Sequence, residues 1–371
     1  MRRGYALFLL ALVFFLALPI RASAAETYEA DDFWSELRAS LPDLVADKLP
    51  EKADEEAILE LVSLRGLLSA LLGGLGDGVL EVLPFLASLL GFTLLWAAAD
   101  LLRVDSKSEG GRRLVGAALS ATFATLIWER AKGGVSATVT LLRELSETVS
   151  AAIPTLTAMQ IAAGRGASAA IGGSALSLGV AAVESVAAAV LPSVAGCSFA
   201  FALIASLGGE LRLDGISKSL RGLYLTIIGL ISFLFTTSLA LQKTIVTSAD
   251  TAALRSAKYA VGTMIPIVGS TISSLLGTLG ASMSLVKNTV GVGILAALLL
   301  LALPPLLYLL LARFSFSIAG SAAHLFGLTR LEGLFAEFRG VYDMMLAVGA
   351  ISLCMFLISI SLFLGGMGVT A

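Results

Sequence analysis

The sequence predicts an all-α fold: a polytopic bundle of about six to eight membrane helices, some of them kinked or re-entrant. Three observations carry that prediction. Of the 371 residues, 57% are hydrophobic and 14% charged, whereas soluble globular chains average about 25% charged. The mean hydropathy is +0.93, and the apolar residues fall in long runs of spanning length with few charges. Glycine, serine and threonine recur at helical spacing within those runs, which suits close approach of one helix to another. A net charge of −2 offers no basic face to a nucleic acid.

The N-terminus reads as an export signal. Arg2 and Arg3 precede the apolar run from Tyr5 to Leu18, and Ala22-Ser23-Ala24 follows as a small-residue cleavage site. Residues 1–24 are therefore expected to be a signal peptide. An uncleaved anchor is the alternative, since Arg21 lies close to the cleavage site. Either way the next residues are exported. Residues 25–78 are polar and acidic, with Trp34, Leu37, Leu41, Leu44 and Val45 on one helical stripe. They are expected to form short amphipathic extracytoplasmic helices that dock on the bundle or on a partner. A solvated spacer with one loosely docked helix is the alternative.

Residues 79–371 form the membrane domain. The first expected span is Val79–Leu102, followed by a basic loop with Arg103, Lys107, Arg112 and Arg113 and a shorter span, Leu114–Trp128. An exported N-terminus places that loop in the cytoplasm, in agreement with the positive-inside rule. Gly133–Glu147 is polar enough for an interface, with Leu141, Leu142 and Leu145 on one face, and Pro154 is expected to interrupt the chain beyond it. Ser168–Leu191 and Ser193–Leu207 read as separate apolar segments. A cytoplasmic loop bearing Arg212, Lys218 and Arg221 and a span from Gly222 to Gln242 come next. Val290–Ala312 carries Pro304-Pro305, so it is expected to be kinked or divided. Arg313, Arg330 and Arg339 mark another cytoplasmic loop, whose Phe335, Phe338 and Tyr342 are placed at the interface. Leu346–Leu364 is the last span.

Candidate chemistry is sparse. Glu184 lies in an apolar helix, where a carboxylate marks a pathway, a proton relay or a paired contact; a hydrogen bond to a neighbouring helix is the plainer reading. Glu81 and Asp100 lie near the ends of their span, within reach of headgroups. Cys197 and Cys354 both fall in apolar runs and read as buried free thiols. With His324 the sole histidine, zinc–histidine motifs are excluded and a histidine-centred triad is disfavoured. Phosphate-loop, nucleophile-elbow and His-Glu-x-x-His patterns are missing from the sequence. Neither a catalytic residue, a metal ligand nor a cofactor is expected, and the paired Gly172-Gly173 is a weak signal.

The most informative segment is Asp250–Gly291. Gly269, Ser273, Gly277 and Ala281 recur every fourth position on one helical face, with Ser270, Ser274, Thr278 and Ser282 beside them. The expected form is a pair of short helices broken near Pro266, packed through that face, with Lys287 and Asn288 ahead of the next span as snorkelling or capping residues. The span count puts the segment outside the cytoplasm or dipping back into the membrane. Asp250, Ala257-Lys258, Pro266-Ile267-Val268-Gly269 and Lys287-Asn288-Thr289-Val290-Gly291 together resemble the signature of the stage III sporulation protein AE family. One departure is Ser274, where the family often has an acidic residue after the serine matching Ser273.

That resemblance implies a multi-pass protein of the mother-cell membrane around the forespore. It further implies a non-enzymatic subunit of a secretion-like channel, or feeding tube, linking mother cell and forespore after engulfment. The implied partners are other proteins of the stage III A operon, including a secretion-type ATPase and ring-forming subunits, and a forespore membrane protein across the intermembrane space. The alternative from composition is a stand-alone secondary transporter, since broken helices and small-residue packing also suit that class.

Overall fold

The computed structural model describes residues 34–35, 38–39, 49–52, 57, 64–105, 109–162, 166–206, 214–264 and 269–365. Over 243–264 and 269–289 it describes the helical backbone alone. The expected signal peptide, residues 1–24, lies outside the described residues. Every element found is a helix: α1 (Leu64–Asp105), α2 (Glu109–Ala162), α3 (Gly166–Ala182), a π-helical turn (Val183–Ala188), α4 (Ala189–Ser206), α5 (Asp214–Met264), α6 (Gly269–Leu325) and α7 (Thr329–Gly365). The α6–α7 hairpin forms the centre. Helix α1 packs on α6, α5 and α4 pack on α7, and α2 lies against α3, α6 and α7. Among the described residues, five helical segments are long and apolar enough to cross a membrane: Gly78–Leu101, Gly166–Ala205, Gly215–Gln242, Val290–Leu325 and Thr329–Leu364.

Continuity is the main departure from the sequence reading. Pro154 and Pro192, expected to interrupt the chain, fall inside helices, and the segment with Pro304-Pro305, expected to be kinked or divided, is not divided. Each proline removes one backbone hydrogen bond, and packing along both sides of these long helices carries them through. The two segments expected on either side of Pro192 are thus one rod, broken only in hydrogen-bond pattern by the π-turn. That turn has a cause: Pro192 has no N–H for the Ala188 carbonyl, and the bonding shifts so that the Ala189 N–H reaches Glu184 O. The Tyr224 hydroxyl donates to the neighbouring Ala187 carbonyl, so the irregular turn is held from α5. Leu114–Trp128 and Gly133–Glu147 likewise belong to the single 54-residue helix α2.

Helical hydroxyls are accommodated by donation to the carbonyl four residues back, as in Thr93 to Leu89, Thr138 to Gly134 and Ser359 to Met355. The core itself is aromatic where α1, α2, α4, α6 and α7 meet. Phe316 stacks on Phe338 at 5.6 Å and meets Phe85 and Tyr342, each at 5.3 Å. Phe123 joins Phe92, Phe335 and Phe338, and Phe199 packs on Phe338. Phe335, Phe338 and Tyr342, expected at an interface, are instead fully buried. Their i, i+3, i+7 spacing puts all three on the core face of α7. Leu141, Leu142 and Leu145 share one face as expected, and that face is buried inside the bundle. Of the two cysteines, Cys197 is exposed on the outer surface and Cys354 is half-buried; both are free.

One end of the bundle gathers several chain segments. Phe363 closes over Gly172 and accepts a hydrogen bond from Gln160 at its carbonyl (3.0 Å), and Leu364 closes over Gly291. Trp34 of the N-terminal segment is buried at the same end, with its ring where a Cβ on Gly293 would lie. Its indole N–H donates to the Pro50 carbonyl at 2.9 Å, and Leu49 is buried with it. Docking of the N-terminal segment on the bundle therefore holds at Trp34; Leu37, Leu41, Leu44 and Val45 lie outside the described residues. Gly293→Val is expected to eject the indole. Limited proteolysis should then cut between Trp34 and Leu64 at least several-fold faster than in the parent, while the bundle stays intact. Unchanged protection would show that the indole does not hold the segment.

Candidate functional site

The polar groups that the fold brings together lie on α2, α5, α6 and α7. Asp214–Met264 and Thr329–Gly365 are continuous helices, so residues assigned to basic loops by sequence are set on helical faces instead. Arg221, buried, donates to the Glu337 carboxylate at 2.8 Å, to the Glu337 backbone carbonyl at 3.3 Å and to the Ser217 hydroxyl at 2.9 Å. Ser217 stands four residues before Arg221, so both project from one face of α5. Gly340 lets the guanidinium lie close against α7. Lys218, largely exposed, reaches the other Glu337 oxygen at 3.6 Å. A second pair, Arg313 with Asp343, joins α6 to α7 at 2.5 Å. Glu337 and Asp343 are six residues apart, about 9 Å along the helix axis. The buried Arg221–Glu337 pair needs such a partner on each side, the Arg313–Asp343 pair is half-buried, and both tie neighbouring helices together.

Beside this layer lies a cavity of about 560 Å³ between α2 and α6, lined by Glu129, Arg130, Gly133, Ala137, Pro304, Pro305 and Tyr308. Arg130 sits over the Phe85 ring at 5.8 Å, and its backbone carbonyl accepts from the Tyr342 hydroxyl at 3.1 Å. Further along α2, the Glu144 carboxyl is held above its usual range, first by burial and then by the Glu147 charge.

Glu184 stands apart from all of this. It lies in the π-turn with its side chain exposed on the outer face of the rod, so the expected hydrogen bond within the bundle is absent among the described residues. Asp100 is exposed near the end of its span. Of the signature segment, residues 250–264 lie on α5 and residues 269–291 on α6, and the expected break near Pro266 falls outside the described residues. The helices on either side are not short: each continues a spanning helix. Gly269, Ser273, Gly277, Ala281, Lys287 and Asn288 all lie on α6, within the stretch described by its backbone alone.

Sequence reasoning missed Arg221–Glu337 and Arg313–Asp343 because it took isolated arginines as loop markers. The usable signal was the pair of acids, Glu337 and Asp343, within an otherwise apolar helical face. Among the described residues no group of three or more His, Cys, Asp or Glu side chains is placed to hold a metal ion.

Five apolar helices of spanning length among the described residues, tied by inter-helix ion pairs of which one is buried, define a polytopic membrane protein. Within that class, the model of the stage III sporulation protein AE family matches residues 57–366. The chain belongs to this family, which is one of sporulation proteins and not a known enzyme family. No curated protein and no solved structure matches the chain.

Proposed function

We propose that the protein is a non-enzymatic subunit of the channel complex that joins the mother cell to the engulfed forespore. It would sit in the mother-cell membrane with residues 1–24 acting as the signal and 25–78 outside the cytoplasm. The observation that carries this reading is the family match over 57–366, which includes the whole signature segment. Trp34 on Gly293 supports it, because an exported N-terminal segment then shares one end of the bundle with Gly291 and Leu364. From that end α5 runs on past Gln242 to Met264, and α6 returns from Gly269 to Val290. Each stretch is about 30 Å long. The two stretches would be directed towards the intermembrane space, where ring-forming subunits and the forespore partner would meet them. Gly269, Ser273, Gly277 and Ala281 would be the packing face, with Lys287 and Asn288 at its base. A secretion-type ATPase would act from the cytoplasmic side.

Deletion of the gene tests the reading. Sporulation should stall after engulfment with loss of late forespore gene expression, while vegetative growth stays normal. A growth defect with normal sporulation would defeat it.

A further inference from the structure

The cavity between α2 and α6 has no role in the assembly reading, yet its lining is chemically specific. Two opposite charges stand at its wall on consecutive residues, Glu129 and Arg130. Neighbours in sequence point about 100° apart on a helix and do not face each other. Arg130 is held over Phe85, and no described residue pairs with the exposed Glu129 carboxylate. On the opposite wall Pro304 and Pro305 have no N–H to give the Leu300 and Leu301 carbonyls, the acceptors four residues back in α6. Gly133 and Ala137, one turn apart, keep the α2 wall shallow, with the Tyr308 hydroxyl 3.8 Å from where a Gly133 Cβ would be.

The lining thus offers a carboxylate to a cation that can donate hydrogen bonds, and a guanidinium to an anion. A primary ammonium supplies three N–H donors, whereas a quaternary ammonium supplies none and favours an aromatic cage. A guanidinium suits phosphate. We propose that this cavity binds an ammonium–phosphate zwitterion presented by a phospholipid, an ethanolamine-type headgroup, with its ammonium on Glu129 and its phosphate on Arg130. Two features favour a lipid over a soluble zwitterion. The exposed Trp128 adjoins Glu129 on the outer surface, as tryptophans do at headgroup level. Pro304 on the opposite wall is also exposed, so the cavity opens sideways onto the apolar exterior. Its volume of about 560 Å³ is within the range of small-ligand sites.

The test uses the full chain purified in a neutral detergent and titrated with short-chain phosphatidylethanolamine, phosphatidylcholine, phosphatidylglycerol and free O-phosphoethanolamine. Binding is read by thermal shift and by native mass spectrometry. The ethanolamine lipid should bind about tenfold tighter than the other two lipids, the worth of one charge-assisted hydrogen bond, and tighter than the free headgroup. Glu129→Gln should erase that preference while leaving the unliganded melting temperature unchanged, because the carboxylate is exposed. Gly133→Leu, which fills the cavity without touching a charge, should abolish binding of the ethanolamine lipid. Equal affinity for all three lipids, or a preference that survives Glu129→Gln, would overturn the proposal. Equal binding of free O-phosphoethanolamine would overturn the lipid assignment.

Discussion

Replacing Arg221 with methionine is expected to lower the stability of the purified protein by about 3–5 kcal/mol, because it strands a buried carboxylate. Glu337 is 6% exposed and takes two of its contacts from the Arg221 guanidinium. Only Lys218 would remain, 3.6 Å away and largely in solvent, and such an exposed partner contributes little. The paired change Arg221→Met with Glu337→Leu should recover most of the loss, since a well-packed apolar pair can replace a buried ion pair at little or no cost. Thermal unfolding in detergent of the two single variants and the double variant separates these outcomes. A single variant that melts with the parent would mean that the α5–α7 ion pair is not buried as described.

Phe338→Ala should be comparably damaging, at about 3–5 kcal/mol for an aromatic lost from a packed core. Its ring touches Phe123 on α2, Phe199 on α4 and Phe316 on α6. Truncation therefore opens a void shared by four helices. Phe233→Ala serves as the control: Phe233 is 63% exposed on α5, and its loss should shift the unfolding midpoint far less. Equal shifts for the two variants would contradict the placement of the aromatic cluster.

Much of this architecture was legible in the sequence where local periodicity decides it. The leucine face of α2 and the docking of Trp34 both derive from side-chain spacing within a few residues. The features that were not legible depend on partners distant in the chain. Arg221 and Glu337 are 116 residues apart, so the sequence shows only an arginine that looks like a loop marker and an acid near the end of a span. The prolines misled for a similar reason. Pro154, Pro192 and Pro304-Pro305 each weaken a helix locally, but helices packed against several neighbours tolerate the lost hydrogen bond. At Pro192 the adjustment is visible as the π-turn, capped from α5 by Tyr224. Glu184 lies in that turn, so its conspicuous place in an apolar run did not make it part of the polar layer.

The claim that this protein acts as one part of a multi-protein assembly is most directly tested by purification from sporulating cells. The parent chain should co-purify with the ring-forming and ATPase subunits proposed as its partners. Gly277→Leu, on the proposed packing face of α6, should lose them, and Leu275→Phe, on another face, should keep them. A protein that purifies alone from such cells, is indifferent to Gly277→Leu and moves a defined solute into liposomes without partners would contradict the account.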